Sequence, residues 1–114
     1  MSRSTHRPAL TEANRFMFTA MLEEQWRFRV EQVAQLSAAN ALPDKAETAA
    51  QREVREVVLR GARLALREIQ AARTRLVDGS YGRCVYCTAE LPLERLEVQP
   101  AVASCLTCQR EVTG

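Results

Sequence analysis

Residues 84–108 read CVYCTAELPLERLEVQPAVASCLTC and contain all four cysteines of the chain. The cysteines form two C-x-x-C pairs, Cys84 with Cys87 and Cys105 with Cys108, and 17 residues separate the pairs. This spacing is typical of a four-cysteine zinc site, because each pair presents two sulfurs from one tight turn and two such turns complete a tetrahedron. We therefore predict that these four cysteines bind one structural Zn²⁺.

A redox dithiol and an iron centre are the alternatives for the cysteines, but neither explains why two pairs lie at this separation. Four protein ligands would leave the metal no open position for water or substrate. The sequence also shows no nucleophile paired with a base and no glycine-rich phosphate loop. We therefore expect a protein that is not an enzyme, and a thiol oxidoreductase remains possible only if the cysteines bind no zinc.

Two long stretches before the cysteines have helical periodicity. No glycine or proline occurs between Pro8 and Pro43, and residues 45–78 contain a single glycine, Gly61. Thr11 can cap the first helix and Asn40 can end it, so we predict helices over about residues 12–39 and 45–78. The apolar stripes that indicate them are Phe18, Leu22, Trp26, Val30, Val33 and Leu36, then Val54, Val58, Ala65, Ile69, Ala72 and Leu76.

A connection of only a few residues makes these helices antiparallel. The predicted fold is mainly α: a long antiparallel coiled-coil helical hairpin followed by a small four-cysteine zinc-finger module. We assign residues 1–10 to a flexible N-terminal tail, residues 11–78 to the hairpin with its tip near 40–47, and residues 79–114 to the module. Gly61 predicts a close contact between the helices, with a hinge as the alternative. The apolar residues expected to form the core of the module are Leu91, Leu93, Leu96 and Val98.

The charge balance does not favour nucleic-acid binding. Sixteen basic and fourteen acidic residues give a formal net charge of +2, which would fall to zero when four thiolates bind one Zn²⁺. The sequence shows neither a secretion signal nor a membrane-spanning stretch, so we expect a cytoplasmic protein without membrane association. A hairpin that buries its own apolar stripe predicts a monomer.

Residues 78–109, DGSYGRCVYCTAELPLERLEVQPAVASCLTCQ, resemble the zinc-finger signature of the DksA/TraR family of bacterial transcription regulators. The matching features are Tyr81-Gly82, Arg95-Leu96, Pro100 and the closing Cys-x-x-Cys-Gln, which ends at Gln109. Thr88 departs from the family pattern, in which glycine commonly follows the second cysteine.

Residues 42–51, LPDKAETAAQ, are similar to the coiled-coil tip of the same family. The family pattern there is Asp-x-x-Asp-x-Ala, and this chain has Asp44, Glu47 and Ala49, so a glutamate replaces the second aspartate. With the two helices, the resemblance covers about residues 11–110.

The resemblance implies a regulator that binds RNA polymerase directly and inserts the hairpin into its secondary channel. Such a factor alters the stability of promoter open complexes, for example at ribosomal RNA promoters, without sequence-specific DNA binding. Asp44 and Glu47 would act at the tip, beside Ala49. The resemblance also implies ppGpp at the polymerase interface, as in the stringent response.

Two alternatives remain open at this point. A small zinc-finger protein that binds nucleic acid directly through its arginines would lose affinity steeply as salt rises. Separately, Asp44 and Glu47 also fit a capping box at the start of the second helix, with Asp44 as the N-cap and Glu47 three residues later.

Overall fold

The computed structural model describes residues 10–42 and 44–113. The helices are α1 (Glu12–Ala41), α2 (Ala49–Asp78), α3 (Leu93–Val98) and α4 (Leu106–Thr113). No strand occurs in these two ranges, although one antiparallel bridge joins Arg83 to Glu90. The long helices pack against each other, and the molecule measures 67 × 33 × 20 Å. The predicted mainly helical fold with a long hairpin is confirmed.

Residues 1–9 of the predicted tail lie outside the described residues. Leu10, which we assigned to the same tail, packs against the hydrophobic core. None of the helices in the described ranges is long and apolar enough to cross a bilayer.

The start of α1 depends on two polar side chains, those of Thr11 and Asn14. The hydroxyl of Thr11 accepts a hydrogen bond from the amide of Asn14 at 3.0 Å, and the side chain of Asn14 accepts from the amide of Thr11 at 3.3 Å. This capping box confirms Thr11 as the N-cap. The prediction that Asn40 ends the helix is wrong, since α1 continues to Ala41. Asn40 instead accepts a hydrogen bond from Nε of Arg55 at 2.7 Å, which ties it to α2.

The start of α2 differs from the sequence prediction by four residues. Its N-cap is Thr48, whose hydroxyl accepts from the amide of Gln51 at 3.1 Å while the Gln51 side chain accepts from the amide of Thr48. The capping box predicted for Asp44 and Glu47 is therefore wrong. The physical reason is that Thr48 and Gln51 have the same spacing and satisfy the free amides of the first turn. At the other end, Gly79 caps α2 in the left-handed conformation at φ +88°, and its amide donates to the carbonyl of Arg75.

The side of α2 that faces α1 follows a heptad seam, with alternating steps of four and three residues. The buried and half-buried positions of this seam are Arg55, Leu59, Ala62, Leu66, Ile69, Arg73 and Leu76. The stripe predicted near the tip is wrong, because Val54 and Val58 are 62% and 40% exposed. Arginine occupies the seam position there, so a pattern based on apolar residues alone selected the neighbouring face. In α1, Phe18 and Leu22 are fully buried as predicted, whereas Val30 is exposed.

One continuous core joins the base of the hairpin to the cysteine-rich module. The ring of Tyr81 lies 5.5 Å from the ring of Phe18, and its hydroxyl donates to the carbonyl of Pro100 at 2.7 Å. Burial raises the pKa of the Tyr81 hydroxyl, so it stays a donor. The members of the core are Phe18, Leu22, Ile69, Ala72, Leu76, Tyr81, Cys84, Leu91, Leu96 and Val102.

Two of the four residues predicted for the module core are not buried. Leu91 and Leu96 are buried as expected, but Leu93 and Val98 are exposed. The short helix α3 turns one side toward the core, and Val98 lies two residues after Leu96, which places it on the opposite face. The predictions for Leu93 and Val98 are therefore wrong.

Gly61 lies on the exposed side of α2, and a Cβ built on it would meet nothing within 4 Å. The predicted close helix contact is wrong, and the hinge stays a prediction. We expect Gly61→Ala to raise the free energy of unfolding by about 0.5–1 kcal/mol, because alanine favours the helix and restricts the unfolded chain. Chemical denaturation measures this change.

Gly79→Ala is the matched control, because Gly79 has the same open space but requires a positive φ. It should lower stability by about 1 kcal/mol. A destabilising Gly61→Ala would contradict this account of Gly61.

Thr88, directly after the second cysteine, adopts φ +64°, which is costly for a β-branched residue. We expect Thr88→Gly to stabilise the protein by about 0.5–1 kcal/mol in thermal unfolding, after allowance for the greater freedom of glycine in the unfolded chain. Thr88→Asn is a useful companion, since asparagine tolerates this conformation and keeps a side chain. A loss of stability in both variants would show that the threonine makes a compensating contact.

Candidate metal centre and hairpin tip

The four cysteine sulfurs form one cluster at the base of the molecule. All four sulfurs lie within 4.8 Å of one another, and the sulfurs of Cys87 and Cys105 are 3.8 Å apart. Tetrahedral Zn–S bonds of about 2.3 Å would place two sulfurs about 3.8 Å apart. The donor set therefore fits a tetrahedral ion that prefers thiolates, and the protein fills all four positions.

Local backbone hydrogen bonds form the two turns that present these sulfurs. In the first turn, the amide of Cys84 donates to the carbonyl of Ala89 at 2.8 Å, and the amide of Thr88 donates to the carbonyl of Cys84 at 2.9 Å. In the second, Cys105 directly precedes α4, and its sulfur accepts from the amide of Cys108 at 3.4 Å.

A further backbone bond joins the two turns, from the amide of Val85 to the carbonyl of Ala103 at 2.8 Å. The cluster is thus held by the backbone on both sides.

The thiols have unequal environments. Burial alone would raise the pKa of Cys84, but hydrogen bonds from the backbone amides of Cys105, Cys87 and Tyr86 outweigh it and lower the pKa to about 6. Hydrogen bonding with the Cys105 thiol, together with burial, raises the pKa of Cys108. Amides directed at sulfur stabilise a thiolate, which is the form that binds metal.

Arg95, one of the signature residues quoted above, supports the second turn. Its Nη2 donates to the carbonyl of Ser104 at 3.1 Å and to Oε1 of Gln109 at 2.7 Å. The next residue, Leu96, is 1% exposed within the core. The signature residues outside the cysteines therefore hold the module in shape and do not form a separate site.

The other candidate site, the loop at the far end of the hairpin, contains the three tip residues of the sequence analysis. Asp44 is exposed, and its Oδ1 accepts from the amide of Ala46 at 2.9 Å. Ala49 is exposed in the first turn of α2. Glu47 differs from both, since its side chain is only 10% exposed and pairs with Arg55 and, at 3.6 Å, with Arg52.

Sequence reasoning missed the role of Arg55 at this tip and the contact that it makes with Asn40. Nε of Arg55 donates to Asn40, and both terminal nitrogens of its guanidinium donate to the carboxylate of Glu47. The available signal was the heptad spacing from Arg55 to Ala62 and Ile69, which places an arginine on the seam.

The metal centre and the tip lie at opposite ends of α2. A helix of 30 residues is about 45 Å long, so the two sites are separated by most of the length of the hairpin.

No model of a known protein family matches the chain. The RNA polymerase-binding transcription factor DksA of Buchnera aphidicola subsp. Schizaphis graminum is 31% identical over 70 residues, which are 59% of this chain and 46% of that protein. The chain thus spans about half the length of this curated relative. The structure of transcription factor DksA2 from Pseudomonas aeruginosa matches 90% of this chain and 84% of that one, with a TM-score of 0.71 at 24% identity.

The structural match shows a fold shared with DksA2 over most of both chains, and the sequence match links part of the chain to a DksA protein. Both matches agree with the resemblance of residues 11–110 to the DksA/TraR family.

Proposed function

We propose that this chain is a regulator of transcription that binds RNA polymerase directly, as the name of its relative, the RNA polymerase-binding transcription factor DksA, says of that protein. The hairpin enters the secondary channel, and the tip with Asp44, Glu47 and Ala49 approaches the catalytic centre. The bound factor alters the stability of promoter open complexes, for example at ribosomal RNA promoters. It is a binding module and not an enzyme.

The observation that carries this proposal is the acidic tip at the end of a slender hairpin. The shortest dimension of the molecule is 20 Å and the longest is 67 Å. A hairpin of this shape can therefore carry a carboxylate at its tip into a narrow channel of a partner protein. The fold shared with DksA2 covers 90% of this chain, so the likeness includes both the hairpin and the module.

Direct nucleic-acid binding has less support, because many arginines bind to the chain itself. Arg15 donates to the carbonyl of Leu76 at 2.8 Å, and Arg73 pairs with Glu23 at 3.0 Å. Arg55, Arg75 and Arg95 likewise donate to groups of their own chain. These guanidinium groups are less available to phosphates than exposed ones.

We further propose that residues 79–114 bind one structural Zn²⁺ through Cys84, Cys87, Cys105 and Cys108 and dock at the rim of the channel. Residues 11–78 act as the inserted element, and ppGpp binds at the interface with polymerase. The factor acts as a monomer in the cytoplasm.

The metal proposal gives a direct measurement. We expect elemental analysis of protein purified without chelator to find one zinc per chain. A strong chelator should remove this zinc and make the thiols of all four cysteines reactive. Thiolate coordination contributes about 10–16 kcal/mol to folding in small zinc modules, so the module should unfold on chelation.

Because Tyr81 packs on Phe18, the near-ultraviolet circular dichroism of the tyrosines should change at the same time. Purified protein without zinc, but with the module folded, would contradict the proposal.

Multi-round transcription from a ribosomal RNA promoter with purified polymerase tests the function. We expect Asp44→Asn to lose most of the wild-type effect while polymerase binding is kept. Asparagine can still accept from the amide of Ala46, so the loop should keep its shape. Glu53→Gln is the matched control, because it removes one exposed acid of α2 outside the tip.

An equal loss of the transcription effect in Asp44→Asn and Glu53→Gln would show that the effect depends on the net charge of the protein and not on the acid at the tip. Absence of any binding to polymerase, with salt-sensitive binding to DNA or RNA instead, would favour the nucleic-acid alternative.

A further inference from the structure

The two acids of the tip differ in what surrounds them. Asp44 is exposed, and none of the ion pairs found in the described residues includes it. The side chain of Glu47 is 10% exposed and faces two guanidinium groups. One acid is therefore available to a partner, and the other is already bound within the chain.

Arg55 connects three segments of the hairpin. It belongs to α2, it donates from Nε to Asn40 in the last turn of α1, and its two terminal nitrogens bind the two carboxylate oxygens of Glu47 in the loop. The Arg55 side chain is 11% exposed, so solvent screens this arrangement less than an ordinary surface pair. We call Asn40, Glu47 and Arg55 the tip clamp.

The tip clamp also determines where Asp44 lies. The amide of Glu47 donates to the carbonyl of Asp44 at 3.0 Å, and the Asp44 carboxylate holds the amide of Ala46. These two hydrogen bonds belong to one short turn. When the tip clamp fixes Glu47, the turn therefore also fixes Asp44. A bidentate pair of arginine and carboxylate is suited to this task because both partners are planar and orient each other.

We propose that Glu47 and Arg55 are positioning residues, and that Asp44 is the acid of the tip that meets the polymerase. This inference rests on the proposed function and divides its two acids between different roles. Neutralised by Arg55, Glu47 contributes the shape of the loop, whereas Asp44 contributes the negative charge.

A charge swap separates the two roles. In Glu47→Arg combined with Arg55→Glu, the pair can form again with reversed polarity, and the amide nitrogen of Asn40 can donate to the new carboxylate. The side chain of Arg52 is 50% exposed, so it can turn into solvent away from the new arginine at position 47. Each single variant brings two like charges together and should lower the transcription effect about tenfold, through loss of a charge-assisted pair. The double variant should return to near the wild-type effect although position 47 then carries a positive charge.

Arg55→Met tests the clamp without touching either acid. Methionine fills a similar volume but donates no hydrogen bond, so the transcription effect should fall while Asp44 and Glu47 remain. Hydrogen exchange of the amides of Ala46 and Glu47 should become faster in the same variant. Arg60→Met is the control, because Arg60 is exposed on the same helix.

Three outcomes would overturn the inference: a full transcription effect in Arg55→Met, a swap that restores amide protection but not transcription, or a swap that restores neither. The second would show that the carboxylate at position 47 is itself required. If the wild-type protein has no effect on polymerase, the proposed function fails, and amide exchange alone then decides whether the clamp orders the loop.

Discussion

The contact between Phe18 of α1 and Tyr81 of the cysteine-rich module is the interaction on which the rest of the structure depends. It joins two parts that differ in every other respect, a long helical hairpin and a loop-rich module. Cys84, a candidate metal ligand, is buried in the same cluster. We therefore expect metal binding at Cys84 to be coupled to the packing of the hairpin base, because the candidate ligand and the aromatic rings share one core.

Burial decreases from this base toward the tip. Apolar side chains fill the seam around Ile69 and Leu76, whereas Arg55 occupies it close to the loop. Near the loop, polar contacts such as the hydrogen bond from Arg55 to Asn40 join the two helices. Regions with few buried apolar contacts open at lower free energy, so we expect the tip to open before the base.

Fifteen of the sixteen basic residues are arginine, and several of them have a structural role. Arg75 and Arg95 each reach a backbone carbonyl of the module, and Arg15 reaches the end of α2. The guanidinium of Arg73 lies 4.7 Å from the ring centroid of Trp26, where it also pairs with Glu23. A planar group with five donors can satisfy carbonyls at a helix end and pack on a ring at once. Arginine thereby joins elements for which a chain of 114 residues has little apolar core.

The sequence by itself determined the element types, the hairpin and the grouping of the cysteines, because these follow from local signals. Helical periodicity without glycine or proline predicts long helices, and two C-x-x-C pairs predict one tetrahedral cluster whatever surrounds them. Errors arose where two local signals competed. Asp44 with Glu47 and Thr48 with Gln51 both have capping spacing, and sequence alone could not choose between them.

Only the tertiary structure decided which face of α2 is buried and what each tip acid contacts. Both depend on Arg55, whose partners Asn40 and Glu47 lie 15 and 8 residues away in sequence. The heptad spacing places Arg55 on a seam, but only the approach of α1 buries its side chain and determines which groups it contacts. The physical reason is that hydrogen-bond partners across a hairpin are set by the register of the two helices, which no single helix encodes.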